Sequence, residues 1–289
     1  MIFRKVLLLS LVLSASSVMH SVYANQIPPF GYPPYETISI HANSNKKDYE
    51  LYVQLPKSYP DTKKAYPVII VNDTSFAFPI TNGAMALMGG AVVEEAIVVG
   101  ISYSRGDDRM LSRTRDYTPT FSPVEKSGYS SATRLASGHA KEYVSFIESQ
   151  VIPLLQKNYR INAEKRVFVG HSFSGLLGVY ILFKRPGLFT DYIIGSPSLW
   201  YDDRVMFDME KEYSTSHKTL PVNVAMFVGS LEDDYHPMVK DLLAMEKQLR
   251  SRNYEGLKLH VEVMKGENHH SIFPGLLSKG LMATLPLKK

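Results

Sequence analysis

The segment 167–180, VFVGHSFSGLLGVY, passes from an aliphatic run through a cluster of small residues into a second apolar run. The first run predicts a buried strand, and the apolar segment 172–184 predicts a buried helix. Between them the chain must reverse within a few residues, which crowds the backbone and requires small neighbours. We therefore expect a sharp strand-to-helix turn that projects the hydroxyl of Ser172 into a cleft.

Other apolar runs surround this turn in the chain. Short aliphatic runs that predict strands lie at 66–73, 95–104, 166–170, 192–198, 223–230 and 257–265, and helical patterns lie at 139–155, 172–184, 236–252 and near 274–284. Strands that are apolar throughout are typical of a parallel sheet covered on both faces, whereas the alternating segment 36–56 predicts an antiparallel hairpin. The order predicts one α/β domain with a mostly parallel, doubly wound sheet. The weakly patterned segment 105–137 is long for a connection, so we expect it to cover a site.

Composition limits the classes of function. The chain has 289 residues, of which 45% are hydrophobic and 21% are charged, and its net charge is only +4. No long run of Lys and Arg is present, so we expect no nucleic-acid partner. The chain has no cysteine, which excludes disulfides and thiolate metal sites.

The N-terminus resembles a secretory signal. Arg4 and Lys5 precede the apolar run 6–13, and Val22-Tyr23-Ala24 fits a signal-peptidase site. We expect a cleaved signal peptide at 1–24 and a single catalytic domain at 25–289. The alternative is an anchor that stays attached, but the apolar run is short for a bilayer. A bacterial periplasm or the external medium is the expected location, with no membrane contact after cleavage.

A serine hydroxyl is a weak nucleophile and needs a base. His269 and His270 follow the last predicted strand, where a Ser–acid–His chain order would place the base. Two alternatives are that Ser172 only caps the helix, or that the histidine pair binds a metal. Because an imidazole accepts a proton only when neutral, we expect hydrolysis to slow below about pH 6.5.

The acid that would orient the histidine should follow the strand at 223–230. Glu232, Asp233 and Asp234 are all present there. The residues alone leave the choice among the three carboxylates open.

Three segments together resemble a known family: VGHSFSGLLGVYILFKRPGLFTDYIIGSPSLWYDD at 169–203, RTRDYTPT at 113–120 and GENHHSIFP at 266–274. They are similar to the esterase D-like esterases of the α/β-hydrolase superfamily, a group that includes the enterochelin and salmochelin esterases. The resemblance covers residues from about 35 to 285.

The resemblance implies an α/β-hydrolase fold and a catalytic set of Ser172, His269 and Glu232. It also implies that the backbone amides of Phe173 and Thr74 stabilise an oxyanion. Two positions depart from the family pattern. Ser174 stands where a glycine is usual after the nucleophile, and Thr74 stands where a glycine usually follows Asp73.

The expected activity is that of an exported serine carboxylic-ester hydrolase that acts on a small-molecule ester without metal or other cofactor. A siderophore of the catecholate trilactone type is one substrate class. A general carboxylesterase for acetylated or feruloylated carbohydrates is the alternative, and a binding module without catalysis is a third reading.

Three residues are candidates for substrate contact. Arg115 could hold an anionic substrate, although an internal pair with Asp116 is the favoured alternative. Trp200 and Tyr201 could line the pocket or simply pack beneath a loop.

Overall fold

The computed structural model describes residues 34–124, 128–234 and 236–287, so the predicted signal peptide at 1–24 lies outside the described residues. The strands of the described part form one sheet in the order β1-β2-β4-β3-β5-β6-β7-β8. The strand bounds are β1 Glu36–Ala42, β2 Lys47–Gln54, β3 Tyr66–Val71, β4 Ile97–Ile101, β5 Ile161–His171, β6 Asp191–Gly195, β7 Asn223–Gly229 and β8 Lys258–Met264. β1 and β2 form the predicted antiparallel hairpin, β2 also pairs antiparallel with β4, and the pairs from β4 to β8 are parallel.

The helices lie on both faces of this sheet. Their bounds are α1 Ala77–Met88, α2 Arg109–Tyr117, α3 Ser131–Leu135, α4 Ala140–Phe146, α5 Ile152–Asn158, α6 Phe173–Lys184, α7 Tyr201–Ser216, α8 Met238–Arg252 and α9 Ile272–Thr284, with a π-helical segment Ile147–Val151 between α4 and α5. Four helices were not predicted: α1, α2, α3 and α7. The segment 105–137 is therefore partly helical and not simply a long connection.

The apolar runs of the sheet are explained by burial on two faces. In β3, Val68 and Ile70 pack with the helices α4 to α8, whereas Ile69 and Val71 pack with α1 and α9. Because successive side chains of a strand point to opposite faces, a strand between two helical layers needs apolar residues at every position. The predicted doubly wound α/β fold is confirmed.

The parallel strands bring distant parts of the chain to one sheet edge. The carboxyl ends of β3, β5, β7 and β8 point the same way, and each is followed by a loop. Ligands of open α/β sheets bind at this edge. Within the described part of the chain, no helix is long and apolar enough to cross a membrane.

Candidate active site

The predicted turn lies between β5 and α6, and its backbone is strained at Ser172. This residue has φ 61° and ψ −122°, a conformation that side-chain-bearing residues rarely adopt. The strained turn is held by the Ser172 amide, which donates to the Gly195 carbonyl at 2.9 Å, and by the Ser172 carbonyl, which accepts from the Leu176 amide at 2.8 Å. A Cβ atom at Gly170 would lie 2.3 Å from the Ser174 carbonyl oxygen, so only glycine fits there. The structure thus presents the Ser172 side chain to the cleft.

Ser174 fits at the position where the family usually has glycine. Its side chain is buried, and among the described residues its hydroxyl has no hydrogen-bond partner. A buried hydroxyl without a partner costs on the order of 1–3 kcal/mol. The departure from the family pattern therefore leaves the turn intact at a cost in stability.

His269 and Glu232 form a close polar pair beside this turn. The Nδ1 atom of His269 lies 2.6 Å from Oε2 of Glu232. The other carboxylate oxygen of Glu232 accepts from the Gly229 amide at 2.6 Å and from the Ser196 hydroxyl at 2.7 Å. With its side chain only 1% exposed, Glu232 is fixed by these donors and orients the imidazole.

The neighbouring carboxylates have other positions. Asp233 is exposed and accepts from the amide of Val239 at 2.8 Å, and Asp234 is an exposed residue of the cleft wall. Gly229 explains why Glu232 is buried. A Cβ atom at this position would lie 2.8 Å from Oε1 of Glu232 and 2.4 Å from the Glu267 carbonyl oxygen. The glycine therefore leaves room for Glu232 to fold back against the end of β7.

Of the two expected oxyanion amides, that of Phe173 lies at the start of α6 and that of Thr74 lies in the loop before α1. Phe173 is the first residue of α6, and amides of a first helical turn have no acceptor within the helix. Thr74 follows Asp73, which has φ 53° and whose carbonyl accepts from the amides of Phe76 and Ala77 at the start of α1. The Thr74 methyl group points toward Gly100, where a Cβ atom would be 2.9 Å away. Its side chain is thus directed toward the sheet.

The cleft has two lobes that meet at Ser172 and His269, with Tyr129 and His270 lining both. The first lobe has a volume of about 380 Å³ and includes Trp200 and His236. The second has a volume of about 490 Å³; its apolar and aromatic walls come from Phe76, Ile80, Tyr103, Met110 and Phe273. A bond held at Ser172 could therefore have a substantial group on each side.

The second lobe also carries a positive charge at its surface. Arg109 is an exposed residue of its wall, and among the described residues no carboxylate lies within ion-pair distance of its guanidinium. Its neighbour in the lobe, Arg113, is buried and paired with Asp73. Arg109 is thus the exposed guanidinium that faces this lobe.

The three residues predicted as candidates for substrate contact lie in different places in the structure. Trp200 lines the first lobe, where its ring stacks on His236 at 3.7 Å with an interplanar angle of 8°. Tyr201 is fully buried, donates its hydroxyl to the Thr120 carbonyl at 2.8 Å and supports Phe173 edge-on, so it packs beneath the cleft instead of lining it.

Arg115 does not reach the cleft. Its guanidinium donates to Asp116 at 2.8 Å and to Asp107 at 2.5 Å within a buried network that also includes Tyr49. Arg115 therefore forms the internal pair with Asp116 that was the alternative prediction. The prediction that it binds substrate is corrected. The buried side chains of α2 are mostly polar. A search for apolar residues at helical spacing therefore did not predict this helix.

Two further buried residues, Arg113 and His171, lie next to the site. Arg113 donates to both carboxylate oxygens of Asp73, at 2.8 and 3.1 Å. His171 precedes Ser172, and its Nε2 atom lies 2.8 Å from the carbonyl oxygen of His269. In the sequence, His171 lies in the motif around Ser172 and Arg113 lies in the segment 113–120. Nothing else in the sequence indicates that they adjoin the site. In the described part of the chain, no group of three or more His, Asp or Glu side chains could hold a metal ion.

Acid should destabilise the folded protein through His171. Burial, reinforced by the nearby His269 and Arg113, holds the pKa of His171 well below its usual value. Below about pH 6.5 the unfolded chain binds a proton at this position and the folded protein does not. The free energy of unfolding therefore falls by up to about 1.4 kcal/mol for each unit by which the pH is lowered, until the pH reaches the pKa of His171 in the folded protein. Above about pH 6.5 both states are neutral here and the contribution is constant.

Urea unfolding at pH 7.5 and 5.5 would measure this effect, with His171→Gln as the reference because glutamine does not titrate. We expect the loss of stability on acidification to be smaller in the variant by about 1.4 kcal/mol. The same pH dependence in both proteins would contradict the prediction.

Known proteins similar to this chain were found by sequence and by structure. The family model described as "Putative esterase" matches residues 42–284. Ferri-bacillibactin esterase BesA of Bacillus subtilis is 25% identical over 264 residues, which cover 89% of this chain and 91% of the relative. Siderophore triacetylfusarinine C esterase of Aspergillus fumigatus is 27% identical over 274 residues, covering 83% and 89%. The crystal structure of the BES protein from Bacillus cereus superimposes with a TM-score of 0.76 at 28% identity, covering 88% of this chain and 96% of that one.

Proposed function

This chain belongs to that esterase family and is a carboxylic ester hydrolase, and we propose that it cleaves the ester bonds of a siderophore with Ser172 as nucleophile, His269 as base and Glu232 as the orienting acid. The contact that carries the proposal is the 2.6 Å pair between His269 and Glu232 beside the strained Ser172. Its position at the junction of two lobes suits a reaction at a bond with a large group on either side.

The first half of the reaction forms an acyl-enzyme. His269 accepts the hydroxyl proton of Ser172 at Nε2 while the serine oxygen attacks the ester carbonyl carbon. The Nδ1–H of His269 remains directed at Glu232, which stabilises the imidazolium. The amides of Phe173 and Thr74 are the proposed donors to the oxyanion, and one such donor is worth about 3 kcal/mol of barrier.

The second half releases the products. The imidazolium gives its proton to the leaving alcohol oxygen as the tetrahedral intermediate collapses, and the alcohol departs. Water then attacks the acyl carbon while His269 takes one of its protons. Collapse of this second intermediate returns a proton to Ser172 and releases the carboxylic acid.

Two observations support a siderophore as the substrate. The matched relatives from Bacillus subtilis and Aspergillus fumigatus are named for siderophore esters. In addition, the second lobe combines aromatic walls with the exposed Arg109. Aromatic rings and a guanidinium suit a planar catecholate arm that carries negative charge.

A comparison of esters would test the substrate class. We expect a catecholate trilactone to be hydrolysed with a higher kcat/KM than p-nitrophenyl acetate, an acetylated xylan fragment or a feruloyl ester. In Arg109→Gln, loss of the charged contact should raise KM for the trilactone about tenfold and leave p-nitrophenyl acetate unchanged.

Arg105→Gln provides the matched control, because Arg105 is an exposed arginine in the preceding loop that is not part of either cleft lobe. It should behave as the wild type toward both substrates. Preference for the carbohydrate esters would instead favour the general carboxylesterase.

Export is also part of the proposal. It is supported by the basic, apolar and small-residue pattern of 1–24 in the sequence. Sequencing the N-terminus of protein recovered from the periplasm or medium should find Asn25 as the first residue.

A further inference from the structure

His171, the residue before Ser172, contacts the loop that carries His269. Its Nε2 atom lies 2.8 Å from the backbone carbonyl oxygen of His269. The two imidazole rings also face each other, with centroids 4.6 Å apart and planes tilted by 37°. His171 therefore touches His269 through both a hydrogen bond and a ring contact.

The direction of this hydrogen bond fixes the proton of His171. A carbonyl oxygen can only accept, so Nε2 must carry the proton. Burial lowers the pKa of His171, which keeps the ring neutral and leaves Nδ1 without a proton. Among the described residues Nδ1 has no hydrogen-bond partner, and it lies close to the backbone of Gly195, where a Cβ atom would be 2.9 Å away.

Arg113 holds the other side of His171. Its Nη2 atom donates to the His171 carbonyl oxygen at 3.1 Å while Nε and Nη2 also donate to Asp73. The Tyr103 hydroxyl donates to the same carboxylate at 2.9 Å. These contacts join the ends of β3 and β5, and the His171 ring continues them to the loop after β8.

We propose that His171 is a positioning residue for ester hydrolysis: its Nε2–H fixes the backbone of His269, and Arg113 fixes the backbone of His171, so that the base is kept beside Ser172. The proposal rests on the proposed function, in which His269 is the base. A displacement of about 1 Å at a reacting group can lower a rate about 100-fold, which is why such a contact matters.

A purely structural role would be filled equally well by an apolar ring. Phe76 and Phe273 pack edge-on against His171, at centroid distances of 6.4 and 5.8 Å, so the surroundings suit an aromatic residue without polar atoms. Burying an imidazole in this place carries a desolvation cost that a phenyl ring avoids. The hydrogen bond to His269 is the contact that a histidine can make here and a phenylalanine cannot.

Two substitutions separate these roles. His171→Phe keeps the ring and removes the donor, whereas His171→Gln places an amide donor near the position of Nε2. With p-nitrophenyl acetate, we expect His171→Phe to lower kcat about 10- to 100-fold with little change in KM. His171→Gln should recover most of that loss. Urea unfolding of each variant corrects the rates for the folded fraction.

Wild-type kcat in His171→Phe, or equal losses in both variants, would overturn the proposal. A measurement on the unmodified protein keeps the test independent of how the variants fold. Nitrogen-15 NMR of the histidine rings at neutral pH should find the proton of His171 on Nε2, and a proton on Nδ1 would also overturn it. If the wild type hydrolyses no ester, the proposed function fails while the NMR result still decides whether His171 makes this contact.

Discussion

Ser172→Ala is expected to abolish hydrolysis, lowering kcat/KM for every ester by at least about 10⁴-fold, because the acyl-enzyme cannot form without the serine oxygen. Folding should be unaffected or improved, since alanine removes only the hydroxyl from the strained turn. Initial rates on p-nitrophenyl acetate and labelling with a fluorophosphonate probe would measure the effect. The probe should label the wild type and not the variant.

Ser174→Ala is the matched control for this substitution. It removes a hydroxyl two residues away that has no hydrogen-bond partner among the described residues. This variant should keep its activity and its labelling. Hydrolysis by Ser172→Ala at more than about a hundredth of the wild-type rate, or labelling of that variant, would contradict the assignment of the nucleophile.

Glu232→Gln should lower kcat by about 10²- to 10⁴-fold with a smaller change in KM. An amide of the same shape carries no negative charge to stabilise the imidazolium. In addition, it can direct an NH₂ group at Nδ1 of His269, which favours the wrong tautomer of the base. Steady-state kinetics on p-nitrophenyl butyrate, with the folded state checked by circular dichroism, would measure the loss.

Asp233→Asn tests whether the effect is specific to Glu232. The asparagine oxygen can still accept from the Val239 amide, and the side chain is exposed. Activity should remain within about twofold of wild type. A larger loss in Asp233→Asn than in Glu232→Gln would transfer the role of the acid to Asp233.

The sheet could be predicted because its strands follow a simple physical rule. A strand covered on both faces, such as β3 or β7, needs apolar residues throughout, and the printed sequence contains these runs plainly. The turn at Ser172 could be predicted for a related reason, since the backbone is so crowded there that Gly170 has no room for a Cβ atom. Both inferences depend on local crowding and burial, which a short segment reveals.

The residues alone left the acid open, and the positions of the arginines needed three-dimensional information. Three adjacent carboxylates look alike in sequence, and the family resemblance alone favoured Glu232; in the structure, the space left by Gly229 and the donors around Glu232 place that carboxylate against His269. Arg115 and Arg113 lie two residues apart on α2, yet one belongs to an internal network and the other joins the site. Which way a polar helix faces is decided by partners distant in the chain.

Helix α7 was missed for a different reason. Its first turn contains Asp202, Asp203 and Arg204, all with positive φ, and none of them is glycine. A left-handed turn is usually recognised in a sequence by its glycines. This one has none, so its sequence does not reveal it. The contacts that hold it, such as the bond between Thr120 and Asp202, join segments far apart in sequence.

The order of the strands has a consequence for biosynthesis. β8 is the last strand in the chain and forms an outer strand of the sheet, and His269 follows it. In the proposed mechanism His269 is the base, so a nascent chain that has folded only as far as β7 would hold Ser172 without that base. The proposed mechanism therefore predicts that ester hydrolysis begins only after β8 has docked.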